Sequence, residues 1–470
     1  MARIKADLDN IRAAWNWAAQ TGLASLLADA AFSLGLYFLR RGRHAEGLEV
    51  FSSAIQRLES SVVKKEPNQA LSRLWYWQAI FEPAFPSRQQ YLERSLALLA
   101  GVNAPERASS ADKAAALLEL GIVAKGLGNH DVADQQFKQS LTLYRLAGSQ
   151  WGEANVLFEL GVRAWRTGDY PLAEQWFSHC LHLRRRLGDV VGIATALEGL
   201  AGTAMFSGHT KNAIEYLGQS YTAYEQLADR GGMARLKIKQ AQIDWYQNLE
   251  GLALFEEGLA ILNELGARRN VALWTVIFAM LQADEDIEIA AKKAEEGQKL
   301  CQELGHRRGV AIAQGVLSRV ALVNGRYQEA LELAEAYLHT AQALSLAIEY
   351  SDALIWSSWA NLALGNIQQA ERYAAEALQT PHYWRVSCLD LTAVLLAHRS
   401  AKNYEYAWQI LSFAESRYAR HRGVVSQNIL HRFMPGPMQI MPSVEIAGLR
   451  EQGLHLNGES LYREIRSMLL

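Results

Sequence analysis

VLFELGVRAWRTGDYPLAEQWFSHCLHLRRRLGD, residues 156–189, decides the fold. Apolar side chains recur at helical spacing on both sides of Gly168, so the glycine ends one helix before Tyr170-Pro171 opens the next. Pro171 falls in a first turn, where its missing N–H costs no hydrogen bond. The small Gly161 lets the paired helices approach, and Phe177 fills the gap between them. The same unit precedes this stretch as ALLELGIVAKGLGNHDVADQQFKQSLTLYRLAG (116–148) and follows it as ALEGLAGTAMFSGHTKNAIEYLGQSYTAYEQLAD (196–229). Gly128, Gly168 and Gly208 therefore stand forty residues apart, as do Ala133, Ala173 and Ala213. A helix pair of that size cannot bury a core alone. The period predicts an all-α, right-handed α-solenoid of about ten stacked helix pairs, with binding as its function.

The signal returns at VLSRVALVNGRYQEALELAEAYL (316–338) and IWSSWANLALGNIQQAERYAAEAL (355–378), with Gly325 and Gly365 again forty apart. Between the two blocks, residues 233–270 hold the phase through Asn248 and Ala253, whereas 271–309 keep helical spacing without a turn glycine. LADAAFSLGLYFLRRGRHAEGLEVFSSAI (27–55) is an early copy marked by Gly35, Gly42 and Phe51, and 68–100 reads as a shorter, Trp-rich pair. The last pair spans about 386–420, by the same apolar spacing. FMPGPMQIMP (433–442) reads as a loop, and 445–469 as two short capping helices with Asn457 or Ser460 at the start of the second. The chain thus divides into N-terminal, partly atypical repeats (1–110), three regular repeats (111–232), degenerate repeats (233–309), C-terminal repeats (310–424) and a loop with capping helices (425–470).

Composition narrows the function classes. Half the residues are hydrophobic and 20% are charged, which is too apolar for a disordered chain. Lys+Arg and Asp+Glu nearly cancel, at 47 against 49, so no overall field draws nucleic acid or an anionic membrane. Cys180, Cys301 and Cys388 are too few and scattered for a disulfide framework, which points to the reducing cytosol. The first residues carry charge instead of a signal-peptide core, and the longest apolar stretch, 23–39, is interrupted by Asp29. Neither export nor membrane insertion is expected.

The small residue, turn glycine, aromatic, alanine and phenylalanine at Gly161, Gly168, Tyr170, Ala173 and Phe177 resemble the marks of the tetratricopeptide repeat. A forty-residue period, longer than the usual ~34, resembles the repeat region of STAND-type signalling ATPases, including the maltose-regulator-like bacterial transcription activators. DLDNIRAAWNWAAQTG (7–22) is similar to the segment leading into those repeats, and GLREQGLHLNGESLYREI (448–465) to their terminal cap. The resemblance implies a sensor region that binds a protein, a peptide or a small effector. No G-x-x-x-x-G-K-[ST] loop and no helix-turn-helix with a basic recognition helix occurs, so the sequence assigns neither ATP hydrolysis nor direct nucleic-acid binding to this chain. A free-standing protein adaptor is the alternative, and a cryptic hydrolase a weaker one.

Repeat phase also selects a candidate groove. Trp165, Met205 and Trp245 share one position in successive units, with Arg166, Phe206 and Tyr246 beside them. In tetratricopeptide folds the first helix of each pair lines the concave face, so these side chains, with Phe158, are expected to form an aromatic channel. Asn155, Arg163, Glu198 and Gln242 would add polar contacts. Against this stands the ordinary role of aromatics at helical spacing, which is packing; any one of them is as well explained as core. The same packing role is the leading account of Trp75, Tyr76 and Trp77 with Phe81 and Phe85, and of Trp356 with Trp359.

Other constellations read as structural. His179, Cys180 and His182 offer too few ligands for a metal, and no cofactor motif is present. Arg184, Arg185 and Arg186, like Arg307 and Arg308, are expected at the ends of second helices, where cations complement the dipole. Asp284, Glu285, Asp286 and Glu288 suit a solvated turn or a helix start. No G-x-S-x-G or H-E-x-x-H pattern supports catalysis, so the chain is expected not to be an enzyme.

Overall fold

The computed structural model describes residues 7–40, 43–60, 68–100, 106–248, 251–380, 386–418, 424–439, 441, 443–456 and 458–469. Among them are α-helices in consecutive packed pairs and no strand, an all-α tetratricopeptide-like solenoid. After an opening helix, Leu8–Gln20, the pairs are Ala24–Arg40 with His44–Ser60, Asn68–Phe81 with Phe85–Leu99, and Glu106–Leu127 with His130–Ala147. Gln150–Arg166 and Tyr170–Leu187 follow, then Val190–Phe206 with Thr210–Gln226, and Arg230–Asn248 with Leu252–Glu264. The series continues with Arg268–Gln282 and Ile287–Glu303, Arg307–Val323 and Tyr327–Ala343, Ala347–Ala363 and Ile367–Ala377, and Val386–Arg399 and Tyr404–Tyr418. The chain ends in Val424–Phe433, Gly436–Gln439, Ser443–Leu454 and Gly458–Leu469. It forms two compact units: Met1–Val162 with Gln175–Asp189, and Arg163–Glu174 with Val190–Leu470.

The turn glycines do what the period requires. Gly168 has φ +79°, a left-handed conformation that costs glycine nothing, and its N–H and that of Asp169 donate to the carbonyls of Trp165 (3.1 Å) and Ala164 (2.9 Å). Those two bonds satisfy carbonyls that the helix end would otherwise leave open.

In the N-terminal unit, Phe177 packs directly on Gly161 and Phe137 on Gly121: a methyl group on either glycine would fall 2.7 Å or less from the ring. Ser140 donates to the Ala114 carbonyl at 2.7 Å and Cys180 to the Ala154 carbonyl at 3.2 Å, each tying a second helix to the first helix of its own pair. The earlier aromatics are packing groups. Trp77 lies on Gly35 and stacks on Phe51 and Phe81 at 6.2 and 6.1 Å, and Phe85 covers Gly126.

In the C-terminal unit, Ser220 repeats the tie to the Ala194 carbonyl at 2.9 Å. Trp356 and Trp359 are buried in a core shared with Leu389, Leu395 and Ile410. Leu461 and Ile465 of the last helix join that core, and Arg399 binds both Glu371 and the Leu469 carbonyl (2.9 Å), so the final helices close the stack. Asn457 and the side chain of Ser460 lie outside the described residues, as does Gly42 of the early copy.

Two expectations need correction. The segment 433–442 is not all loop: Gly436–Gln439 makes a helical turn in which Met438 and Gln439 donate to the Pro435 carbonyl. Pro437 sits in its first turn, where the lost N–H is harmless. Arg307 and Arg308 begin a first helix, Arg307–Val323, so the dipole does not account for them. Arg308 is held by Glu349 instead, with its Nε 2.8 Å from Oε1. Asp286 caps its helix by accepting from the N–H groups of Glu288 and Ile289, and Asp284 is buried against Arg319. No described helix is long and apolar enough to cross a membrane.

Candidate functional site

First helices converge in the C-terminal unit around a cavity of about 240 Å³. Trp165 stands at the C-terminal end of Gln150–Arg166; Glu198, Gly202, Met205 and Phe206 line Val190–Phe206; Lys239 and Gln242 come from Arg230–Asn248. Trp274 enters from Arg268–Gln282 and Arg308 from the first turn of Arg307–Val323. The row curls enough to bring residues distant in sequence together: the Arg308 guanidinium lies 5.8 Å from the centre of the Trp165 ring, and Arg166 donates to the Leu344 carbonyl at 3.2 Å. Apolar walls with a few polar groups are the ordinary chemistry of a ligand site.

The walls are aromatic on one side. Phe206 meets Trp165 edge to face at 5.6 Å and stacks on Tyr170 at 6.3 Å, which fixes both rings. Charged groups complete the lining. Glu198 accepts from the Tyr224 hydroxyl at 3.1 Å and lies 3.5 Å from Lys239 and 3.6 Å from Arg235. Burial pushes the Glu198 carboxyl up, but Lys239, Arg235 and the tyrosine bond together hold it below the usual carboxylate value. Glu349 behaves alike, with burial outweighed by Arg308 and Arg166. His306 accepts the Gly309 N–H on Nδ1 at 3.0 Å; burial, then Arg269, Arg308 and Arg166, bring it down to about 4. It is a neutral helix cap at physiological pH.

The side chains selected by repeat phase take different places. Trp165, Glu198, Met205, Phe206 and Gln242 line the cavity together. Arg166 is not among the lining residues and bonds the Leu344 carbonyl, and Arg163 is half-buried in the same last turn. Trp245 instead is 5% exposed in a core with Ile238, Phe255 and Phe278. Asn155 and Phe158 belong to the N-terminal unit, where Asn155 accepts from Arg184 and Phe158 packs on Phe177 at 5.6 Å. The side chain of Tyr246 lies outside the described residues. Lys239, Trp274 and Arg308 were missed, because each occupies a different repeat position from the Trp165 column.

The N-terminal unit has its own cavity of about 350 Å³, walled by Phe32, Trp77 and Trp151. Its polar groups largely satisfy one another: Asp112 takes Arg73 at 3.0 Å and Gln69 at 2.8 Å, and Ser95 bonds both the Ser72 hydroxyl and its carbonyl. No cluster of three or more histidine, cysteine or carboxylate groups suited to a metal occurs among the described residues.

A tetratricopeptide-repeat family model matches residues 112–186 and 152–226. No curated protein matches the chain. Among solved structures, the Rap conjugation regulator of plasmid pLS20, determined with a Phr peptide, is similar at 14% identity over 58% of this chain and 73% of its own, with a TM-score of 0.50. Aspartyl phosphate phosphatase F from Bacillus subtilis matches at 12% identity over 75% of this chain and 93% of its own, with a TM-score of 0.48. A STAND signal-transduction ATPase with a tetratricopeptide-repeat sensor, from Pyrococcus horikoshii, matches at 12% identity over 90% of this chain and 55% of its own, with a TM-score of 0.41. At such identities the likeness concerns the fold.

Proposed function

We propose that the chain is a non-catalytic tetratricopeptide-repeat scaffold that binds a peptide or small effector in the cavity of its C-terminal unit. On this reading it serves as the cytoplasmic sensor region of a STAND-like, maltose-regulator-like signalling or transcription regulator. The observation that carries the binding claim is the cavity itself: five successive first helices contribute rigid aromatic walls and charged groups to one lining. The peptide complex of the pLS20 regulator offers a precedent on a similar fold.

The switch would follow from geometry. Trp165 touches Arg308 across 143 residues of sequence, and Arg166 reaches Leu344 across 178, so the curl of the row is held where the ligand would sit. A ligand that fits one curl better than another shifts the population toward it, by as much as its affinities for the two differ.

Gly202→Leu tests the site. A Cβ on Gly202 would meet nothing closer than 3.8 Å, so a leucine starts in ordinary contact and extends into the cavity. Ligands found by a thermal-shift screen of peptides and metabolites on the wild-type chain should lose their shift in this variant, while its helicity by circular dichroism stays unchanged. Retained shifts would remove the cavity as the site.

A further inference from the structure

We infer that the ligand of this cavity carries a carboxylate, held over Gly202 between the Trp165 indole N–H and the Lys239 ammonium; the inference rests on the binding reading above. The first support is an unmet donor. The Trp165 Nε1 is closed off from solvent and has no hydrogen-bond partner, whereas Glu198 and Arg308 of the same cavity are engaged by Tyr224 and Glu349. An indole N–H can only donate, so what answers it must be an acceptor. A buried donor left unmet is costly, and a ligand oxygen would recover that cost.

The second support is where that donor points. The position a Gly202 Cβ would take is 3.8 Å from Trp165 Nε1 and 3.9 Å from Lys239 Nζ. The two nitrogens thus flank the bare Gly202 position on Val190–Phe206 and lie no farther apart than the sum of those distances, a gap that the two oxygens of one carboxylate can bridge. Lys239 has donors to spare: its contact with Glu198 is 3.5 Å, longer than an ordinary N–H···O bond of about 2.7–3.2 Å.

Charge selects a carboxylate over a neutral acceptor. Glu198 is shared between Lys239 and Arg235 and is bonded by Tyr224, so a second anion meets two cations and one already-satisfied carboxylate. Arg308, the other cation of the cavity, is taken up by Glu349. An ion bonded by a neutral N–H and an ammonium gains roughly twice what a neutral acceptor gains. The aromatic rings of Phe206 and Trp274 line the same cavity, so the part of the ligand next to the carboxylate is apolar or aromatic, as at a peptide's C-terminal residue.

A matched pair of probes tests this: 3-phenylpropionate and 3-phenylpropionamide, titrated by calorimetry into the full chain. The carboxylate should bind at least tenfold tighter than the amide. Trp165→Phe, which keeps a ring and loses the N–H, and Lys239→Met, which keeps the stem and loses the charge, should each reduce that preference to under threefold. Circular dichroism verifies that both variants fold. Equal affinity of the two probes, both lost in Gly202→Leu, would overturn the carboxylate and leave the binding cavity standing. A carboxylate preference that survives Gly202→Leu would overturn both readings. Absence of binding by either probe at millimolar concentration would overturn the inference.

Discussion

The regular repeats and the irregular ones that follow them pack their helix pairs with opposite logic. In the regular pairs the hole is on the first helix and the knob on the second: Gly121 receives Phe137 and Gly161 receives Phe177. Between residues 230 and 303 the roles exchange, for Gly258 on a second helix receives Ile238 of a first helix and Gly297 receives Val276. At Gly315 with Tyr337 the regular order returns. The exchange lets a β-branched side chain replace a ring between the helices. It also coincides with a second helix of 13 residues, Leu252–Glu264, against 18 for Tyr170–Leu187. The regular repeats pack Phe137 and Phe177 within their own pairs. The irregular ones contribute Lys239, Gln242 and Trp274 to the wall of the cavity, which they share with Trp165, Met205 and Phe206.

The largest expected effect lies in the regular half. Phe177 is 2% exposed and fills a hole that only glycine leaves, so Phe177→Ala should cost about 3–5 kcal/mol in urea unfolding. A loss under about 1 kcal/mol would mean that the ring is not the knob of this pair, and the contrast between the two halves would fail with it.

A smaller effect tests the exchange of roles. Gly161→Ala would put a methyl 2.7 Å from the Phe177 ring, and Gly258→Ala would put one 2.7 Å from Ile238 and 2.9 Å from the Ala234 carbonyl. Each should destabilise by about 1–3 kcal/mol, despite the better helix propensity of alanine. Combining Gly258→Ala with Ile238→Ala should cost less than the sum of the single changes, because the part of the clash that falls on the isoleucine disappears with it, leaving only that on the Ala234 carbonyl. Strict additivity would show that these two residues do not form the reversed contact.

This reversal explains how far the fold could be read from sequence. Where glycine leads and phenylalanine follows, with a left-handed turn glycine such as Gly168 between them, a single forty-residue template finds every helix pair. Residues 271–309 resist it because the small glycine has moved to the second helix and the turn within the pair, residues 283–286, has no glycine. The site was legible only where it shares the template: Trp165, Met205 and Phe206 were placed by phase, and Glu198 and Gln242 by proximity to them. Trp274 and Arg308 depend on how tightly the row curls, which no local pattern encodes. Trp245 has the phase of Trp165 but packs inward with Phe255 and Phe278, because its pair is built the other way round.

The smallest effect carries the opposite sign. Gly202 sits within a helix like Gly161, one position further along its own, yet a Cβ there would touch only Trp165 and Lys239 at 3.8 and 3.9 Å. No packing partner needs the glycine, and in a helix interior it costs roughly 0.5–1 kcal/mol relative to alanine. Gly202→Ala should therefore raise unfolding free energy by about that amount, measured beside Gly161→Ala in the same urea series. If it destabilises instead, the space over Gly202 is filled by protein and the cavity has been misjudged. If it stabilises while weakening 3-phenylpropionate binding, the glycine is kept at a cost in stability for the ligand, as functional sites commonly require. Gly161 and Gly202 would then be one residue type in two roles, one closing a helix pair and the other holding a site open.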